Sequence, residues 1–179
     1  MPKSKQTLIL DRNAPVLRKT ALPVPLEDIG SKKIGDIIAT MKRALHHEED
    51  GVAIAAPQVG VSLRIFVVKG SALHLTQKKR LEEKKVTPDL VFINPEIVKV
   101  SKKKHKVEEG CLSVRWLYGH VSRHEKISIK AFDENDKRVN VGASGLLSQI
   151  FQHEIDHLDG ILFIDKAENV RDLPPTTND

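Results

Sequence analysis

The sequence has one cysteine, one tryptophan, one tyrosine and five phenylalanines among 179 residues. A lone cysteine excludes an intramolecular disulfide framework, so packing or a bound metal must hold the fold. Aromatics make up 4% of the chain, and none interleaves its lysine clusters as a base-stacking surface requires. Sequence-specific nucleic-acid binding is set aside on that ground. No apolar run approaches the roughly 20 residues of a membrane span. The basic start, Met1 to Gln6, is followed only by the short apolar run Leu8 to Leu10, which is too short for a secretory signal. These absences point to a cytoplasmic protein with no membrane partner.

What is present is ordinary for a globular domain. The hydrophobic share is 40%, and the length fits one domain with a sizeable core. Residues 1–179 are read as a single domain with flexible ends at 1–6 and 169–179. The net charge is +5, from 29 Lys and Arg against 24 Asp and Glu. Much of the excess lies in Lys78-Lys79-Arg80, Lys84-Lys85 and Lys102-Lys103-Lys104. Solvated loops and protected strand edges account for such clusters. The sharper alternative is weak attraction to an RNA-rich surface such as a ribosome.

Apolar residues Ile34, Ile37, Ile38, Met41 and Leu45 recur at helical spacing and predict a helix over Lys32–His47, capped by Ser31. Upstream, Thr7–Leu10 reads as a strand or extended segment, Pro15 starts a helical turn, and Ala21–Leu26 is extended. Gly51 to Gly60 is small and apolar, a tightly packed loop able to approach a ligand closely. Strands are expected at Leu63–Val68, Leu90–Asn94 and, after a break at Pro95, Glu96–Val100. Residues 69–89 read as a charged loop or insertion. Lys102–His105 would turn a hairpin whose return is Lys106–Glu108. Alternation from Val121 to Phe132 predicts another strand, with Asp133–Asp136 turning to Arg138–Val141. Ser144 would cap a last helix over 145–158, and the chain would fray beyond Ile164. Strands clustered between an early and a late helix predict α+β: mixed or antiparallel sheets packed around the C-terminal helix, with one N-terminal helix.

That last helix carries His153-Glu154-Ile155-Asp156-His157. Histidines four residues apart share one helix face and can meet at one metal, with the glutamate beside it as a base. A catalytic site of this type takes three protein ligands. Downstream candidates are poor. Glu168 lies in too short a segment, and Phe163 occupies the position where an extended motif places a third histidine. Cys111, in Gly110-Cys111-Leu112, remains as the third ligand; a lone cysteine is otherwise a small buried hydrophobe.

Three blocks now carry a resemblance to peptide deformylases. Gly51 to Gln58 resembles the family's G-x-G-L-A-A-x-Q. Glu109 to Ser113 matches E-G-C-L-S, and Gln152 to Leu158 matches Q-H-E-x-D-H-L. The resemblance implies a hydrolase that removes the formyl group from the N-terminal formylmethionine of nascent peptides. It implies metal ligation by Cys111, His153 and His157. The implied ion is one divalent metal, commonly Fe2+, with Zn2+, Ni2+ or Co2+ able to occupy the site. Glu154 would be general base and then acid, and Gln58 with the Leu112 N–H would stabilise the oxyanion. The loop around Val52 and Ala53 would pair with the peptide as an added strand, Gly110 would also contact substrate, and Val52, Val107, Leu146 and Ile150 would line the methionine pocket. Glu109 and Arg123 would form a supporting ion pair. A bacterial-type cytosol fits better than an organelle. The chain departs from the pattern at Ala53 and Ile54 in the first motif, and at Arg115, Trp116, Tyr118 and Gln149. These departures bear on substrate preference and rate. A zinc endopeptidase using the same histidines, and a non-catalytic binder of formyl peptides, stand as alternatives.

Overall fold

A computed structural model describes residues 9–76 and 87–175. Among these residues three helices, α1 (Lys32–His47), α2 (Gly70–Thr76) and α3 (Leu146–Leu158), accompany eight strands. The strands are β1 (Ala53–Ala55), β2 (Ile65–Val68), β3 (Leu90–Val100), β4 (Lys104–Glu109), β5 (Leu117–His124), β6 (Lys126–Phe132), β7 (Arg138–Ser144) and β8 (Glu168–Asp172). They form a five-stranded sheet in the order β1-β2-β3-β6-β7 and a three-stranded sheet in the order β4-β5-β8. All the strand pairs are antiparallel. The α+β expectation is met.

Alternation along the central strands explains why a helix covers each face of the larger sheet. Ile65 and Val67 of β2, with Val91 and Ile93 of β3, meet Ile34, Ile38, Met41 and Leu45 of α1. Phe66, Val68 and Phe92 point the other way and meet Ile150, Phe151 and Ile155 of α3. The rings of Phe66, Phe92 and Phe151 pack together, with Phe92 and Phe151 edge to face at 4.9 Å between centroids. Burial of each large side chain is worth about 1.5–3 kcal/mol against exposure. The Ser31 cap, whose hydroxyl accepts the Ile34 N–H, contributes about 1 kcal/mol. Packing therefore dominates the stability of α1.

Several expectations need correction. Pro95 does not end a strand. The strand instead bulges between Ile93 and Glu96, with Asn94 at φ 51°. Asn94 tolerates that left-handed backbone because its side chain bonds both the N–H and the carbonyl of Val24. The hairpin expected at Lys102–His105 does not form: β3 pairs with β6, and β4 pairs with β5 in the other sheet. The chain crosses between sheets there. The long alternating run also divides, at Glu125, into β5 and β6 of different sheets. Ser144 belongs to β7 and caps nothing. The residue before α3 is Gly145, at φ 55°.

Beyond Ile164 the chain does not simply fray, because β8 pairs with β5. The packed loop Gly51–Gly60 contains β1 and a 3-10 turn at Ala56–Val59. The segment 69–89 begins with α2. Of Thr7–Leu10, only Ile9 and Leu10 are described, and the Leu10 N–H donates to the Gln58 carbonyl. The tail 1–6, the clusters Lys78-Lys79-Arg80 and Lys84-Lys85, and residues 176–179 lie outside the described residues. Among the described residues no helix is long and apolar enough to cross a membrane.

Candidate metal centre

Helix α3 places His153 and His157 one turn apart, with ring centroids 5.0 Å from each other. Cys111 approaches from the loop after β4, and its Sγ lies 3.2 Å from His157 Nε2. One donor atom from each of Cys111, His153 and His157 falls within 4.8 Å of the others. No other cluster of three such side chains is found among the described residues. A thiolate and two imidazoles converging at this distance fit one divalent cation with a position left open. Glu168 stands elsewhere, on β8, paired with Lys106 at 2.5 Å. Phe163 is buried in the apolar cluster against which Cys111 packs, its ring centroid 6.2 Å from that of His153, and offers no ligating atom.

The ligands are oriented from behind. His153 Nδ1–H donates to Glu109 Oε2 at 2.9 Å, which leaves Nε2 for the metal. Glu109 accepts two further bonds from Arg123, Nε to Oε1 at 2.7 Å and Nη2 to Oε2 at 2.9 Å. Arg123 also donates to Asp156 at 2.6 Å, and Lys166 reaches the other oxygen of Asp156 at 2.7 Å. Burial alone raises the Glu109 pKa, but the bonds from Arg123 and His153 outweigh it and hold it at about 2. Burial lowers the His157 pKa and nearby His153 lowers it further, favouring the neutral imidazole that ligates. The Glu109–Arg123 ion pair is one link of a longer chain of charges through Asp156 to Lys166. Asp156, within the histidine motif itself, was not singled out as its second anchor.

Glu154 lies in the cavity wall, 4% exposed, and its Oε2 has no hydrogen-bond partner among the described residues. Burial pushes its pKa up to about 7, with His153 and Arg123 opposing and Glu109 adding to the rise. A carboxyl poised near neutrality can both take and return a proton. Gln58 faces it from the 3-10 turn. Its Oε1 accepts the Ala55 N–H at 2.9 Å, so its NH2 must point towards the cysteine loop. There it donates to Ser113 Oγ at 3.1 Å and lies 3.7 Å from Cys111 Sγ. The role of Ser113 in holding Gln58 is visible only once the two motifs meet. Gln152 anchors α3 by bonding both the N–H and the carbonyl of His124.

A cavity of about 310 Å³ opens beside these groups, lined in its apolar part by Val52, Leu112, Leu146 and Ile150. Ala53 and Gly110 also line it. Val107 does not: it stands on β4 opposite Val121. Ala53 is extended in β1 and is not among the residues with positive φ. Its methyl is accommodated without backbone strain. β1 is the end strand of its sheet, so one edge has no neighbouring strand among the described residues. Gly110 is glycine for want of room. A Cβ there would stand 2.7 Å from the Tyr118 ring.

Fold and site together define a Cys/His/His metal centre with a buried glutamate beside it, of the kind that metal-dependent hydrolases use. The family model described as polypeptide deformylase matches residues 7–172. A peptide deformylase of Symbiobacterium thermophilum is 43% identical over 166 residues, spanning 91% of this chain and 67% of that protein. The chloroplastic peptide deformylase 1A of Solanum lycopersicum is 36% identical over 170 residues, 92% of this chain and 61% of its own length. The chain thus spans roughly two thirds of these two relatives. An actinonin-bound class I type b peptide deformylase from Acinetobacter baumannii superposes with a TM-score of 0.76 at 31% identity, over 89% of this chain and 97% of that one. The chain belongs to the peptide deformylase family.

Proposed function

We propose that this chain hydrolyses the formyl amide at the N-terminus of newly made formylmethionyl peptides, giving formate and a free amine. The observation that carries this reading is the convergence of three remote segments on one cavity. Gln58, the Cys111 loop, and His153 with Glu154 meet beside an apolar pocket and an open strand edge.

Cys111, His153 and His157 would hold a divalent cation, which would supply Lewis acidity to polarise the formyl carbonyl. Glu154 takes a proton from the attacking water and returns it to the departing nitrogen as the C–N bond breaks. The Gln58 amide and the Leu112 N–H donate to the oxygen that becomes negative as the tetrahedral centre forms. Val52, Ala53 and Gly110 hold the peptide backbone as an added strand. Val52, Leu146 and Ile150 receive the methionine side chain. The Glu109–Arg123 pair keeps His153 in the ligating tautomer.

The proposed ion is Fe2+; Zn2+, Ni2+ and Co2+ satisfy the same donors. The proposed setting is a bacterial-type cytosol, with Lys102–Lys104 giving a weak electrostatic approach to the ribosome surface. A third ligand upstream of the histidines disfavours the endopeptidase reading, and an intact Glu154 disfavours a purely binding role.

The test is formate release from a formyl-Met peptide by anaerobically prepared, metal-analysed protein. Folded, metal-loaded protein that releases no formate refutes the proposal. Glu154→Ala should keep its metal and lose turnover by about 10²- to 10⁴-fold.

A further inference from the structure

One cluster at the cavity mouth has no part in the chemistry above. Arg115 follows the metal-binding loop and lines the cavity. It is tied to that loop by two successive turns, Val114 N–H to the Cys111 carbonyl at 3.0 Å and Leu117 N–H to the Val114 carbonyl at 3.1 Å. Its guanidinium reaches across to the opposite wall. Nη2 donates to Glu48 Oε2 at 2.5 Å and Nη1 to Asp50 Oδ2 at 2.9 Å. The side chains of Arg115 and Glu48 are each only 28% exposed, so this pair is better shielded than an ordinary surface contact. Its Cζ also lies 4.8 Å from the centroid of the Trp116 ring.

Both carboxylates belong to the segment that immediately precedes Val52 and Ala53. Glu48 caps the end of α1, and its carbonyl accepts the Gly51 N–H. The same two walls leave little room between them at Gly51. A Cβ on Gly51 would stand 3.3 Å from Leu112 Cδ1. Arg115 thus spans from the loop bearing Cys111 and Leu112 to the approach of the strand edge that takes the peptide.

We propose that Arg115, fastened to Glu48 and Asp50, is a positioning residue that sets the width of the outer cleft and so determines how tightly the residues following the formylmethionine are held. This rests on the deformylase reading of the site. Gln58 lies C-terminal to β1 and Asp50 N-terminal to it, so on this proposal a peptide leaving the metal along β1 meets the clamp beyond its first residue. A ligand of one residue does not reach it.

Trp116 is the only tryptophan in the chain, so its fluorescence reports this site alone. The experiment titrates formyl-Met-Ala-Ser and formyl-methioninamide into metal-loaded protein carrying Glu154→Ala, which prevents consumption of the ligand. Arg115→Gln and the pair Glu48→Gln with Asp50→Asn should each weaken tripeptide binding by about 3- to 10-fold, the range for residues coupled in one network. Combining all three changes should weaken it no further. Binding of formyl-methioninamide should stay within about twofold, and Arg115→Lys should recover part of the loss. Both sets of changes should shift Trp116 emission alike.

The proposal is overturned if removing the two carboxylates leaves tripeptide binding intact, or if the losses add. It is also overturned if the short ligand suffers equally, or if the tripeptide does not bind the starting protein. Formate release by the unsubstituted chain is measured separately. Protein that binds the tripeptide through the clamp yet releases no formate refutes the hydrolytic reading and leaves the clamp standing.

Discussion

Glu109→Gln is the substitution that most directly tests how the metal centre is held. The carboxylate accepts three hydrogen bonds, two from Arg123 and one from His153. An amide has only one acceptor oxygen. Placed at Oε2, that oxygen satisfies His153 and Arg123 Nη2 but turns the NH2 against Arg123 Nε–H. Placed at Oε1, it turns the NH2 against both other donors. Either orientation opposes donors and leaves Arg123 with Asp156 as its only buried carboxylate. The cost follows from the titration of Glu109, held at about 2 against an ordinary 4.5. That difference corresponds to about 3 kcal/mol of stability, within the range of about 3–5 kcal/mol for breaking a buried pair.

The sign is that of a depressed carboxylate. The contribution is fully present above the unfolded value of 4.5 and is lost as pH falls towards 2. The variant should therefore unfold at lower urea at pH 7 and lose part of the parent's acid dependence between about pH 4.5 and 2. Because His153 loses its fixed partner, metal affinity should also fall by about 10- to 100-fold in competition with a chelator. A variant with unchanged metal affinity and less than about 1 kcal/mol of destabilisation would refute this account of Glu109.

Gly110→Ala should displace the Cys111 loop, since the new methyl meets the Tyr118 ring. Metal affinity should fall, and Gly110→Ala with Tyr118→Ala should recover most of it in the same chelator competition. Phe151→Ala removes one ring from a three-ring cluster behind α3 and should cost about 3–5 kcal/mol in urea unfolding. Asn94→Ala loses both bonds to Val24 and leaves alanine at φ 51°, for about 3 kcal/mol in all. Asn94→Gly keeps only the hydrogen-bond loss, so it should be the milder of the two in the same assay.

Helix α1 was legible to the residue because its signal is local: one apolar stripe at a 3.6-residue period, with a serine before it. The sheet partners were not. Alternation tells a strand which face is buried and nothing about its neighbour. The run from Val121 to Phe132 looks continuous because β5 and β6 alternate in similar fashion, yet the chain changes sheets at Glu125. Sequence proximity likewise suggested that β3 and β4 form a hairpin, whereas β3 recruits β6 and leaves β4 to β5. β8 escaped notice because all five of its residues are exposed, so no hydrophobic pattern marks it.

The site divides along the same line. Its ligands were readable because chemistry restricts them: two histidines at helical spacing need a third donor, and one cysteine was available. The groups that orient those ligands carry no such restriction. Asp156, Lys166 and Ser113 act through contacts made only after the two sheets and α3 come together. Arg115 lies 67 positions from Glu48 and 65 from Asp50, and no spacing rule connects charges so far apart. In the sequence it is one of 29 basic residues. In the fold it joins the two walls of the cavity mouth through Glu48 and Asp50. Peptide discrimination beyond the first residue must therefore be sought where the helix motif is silent, in the two chain segments that Arg115 joins.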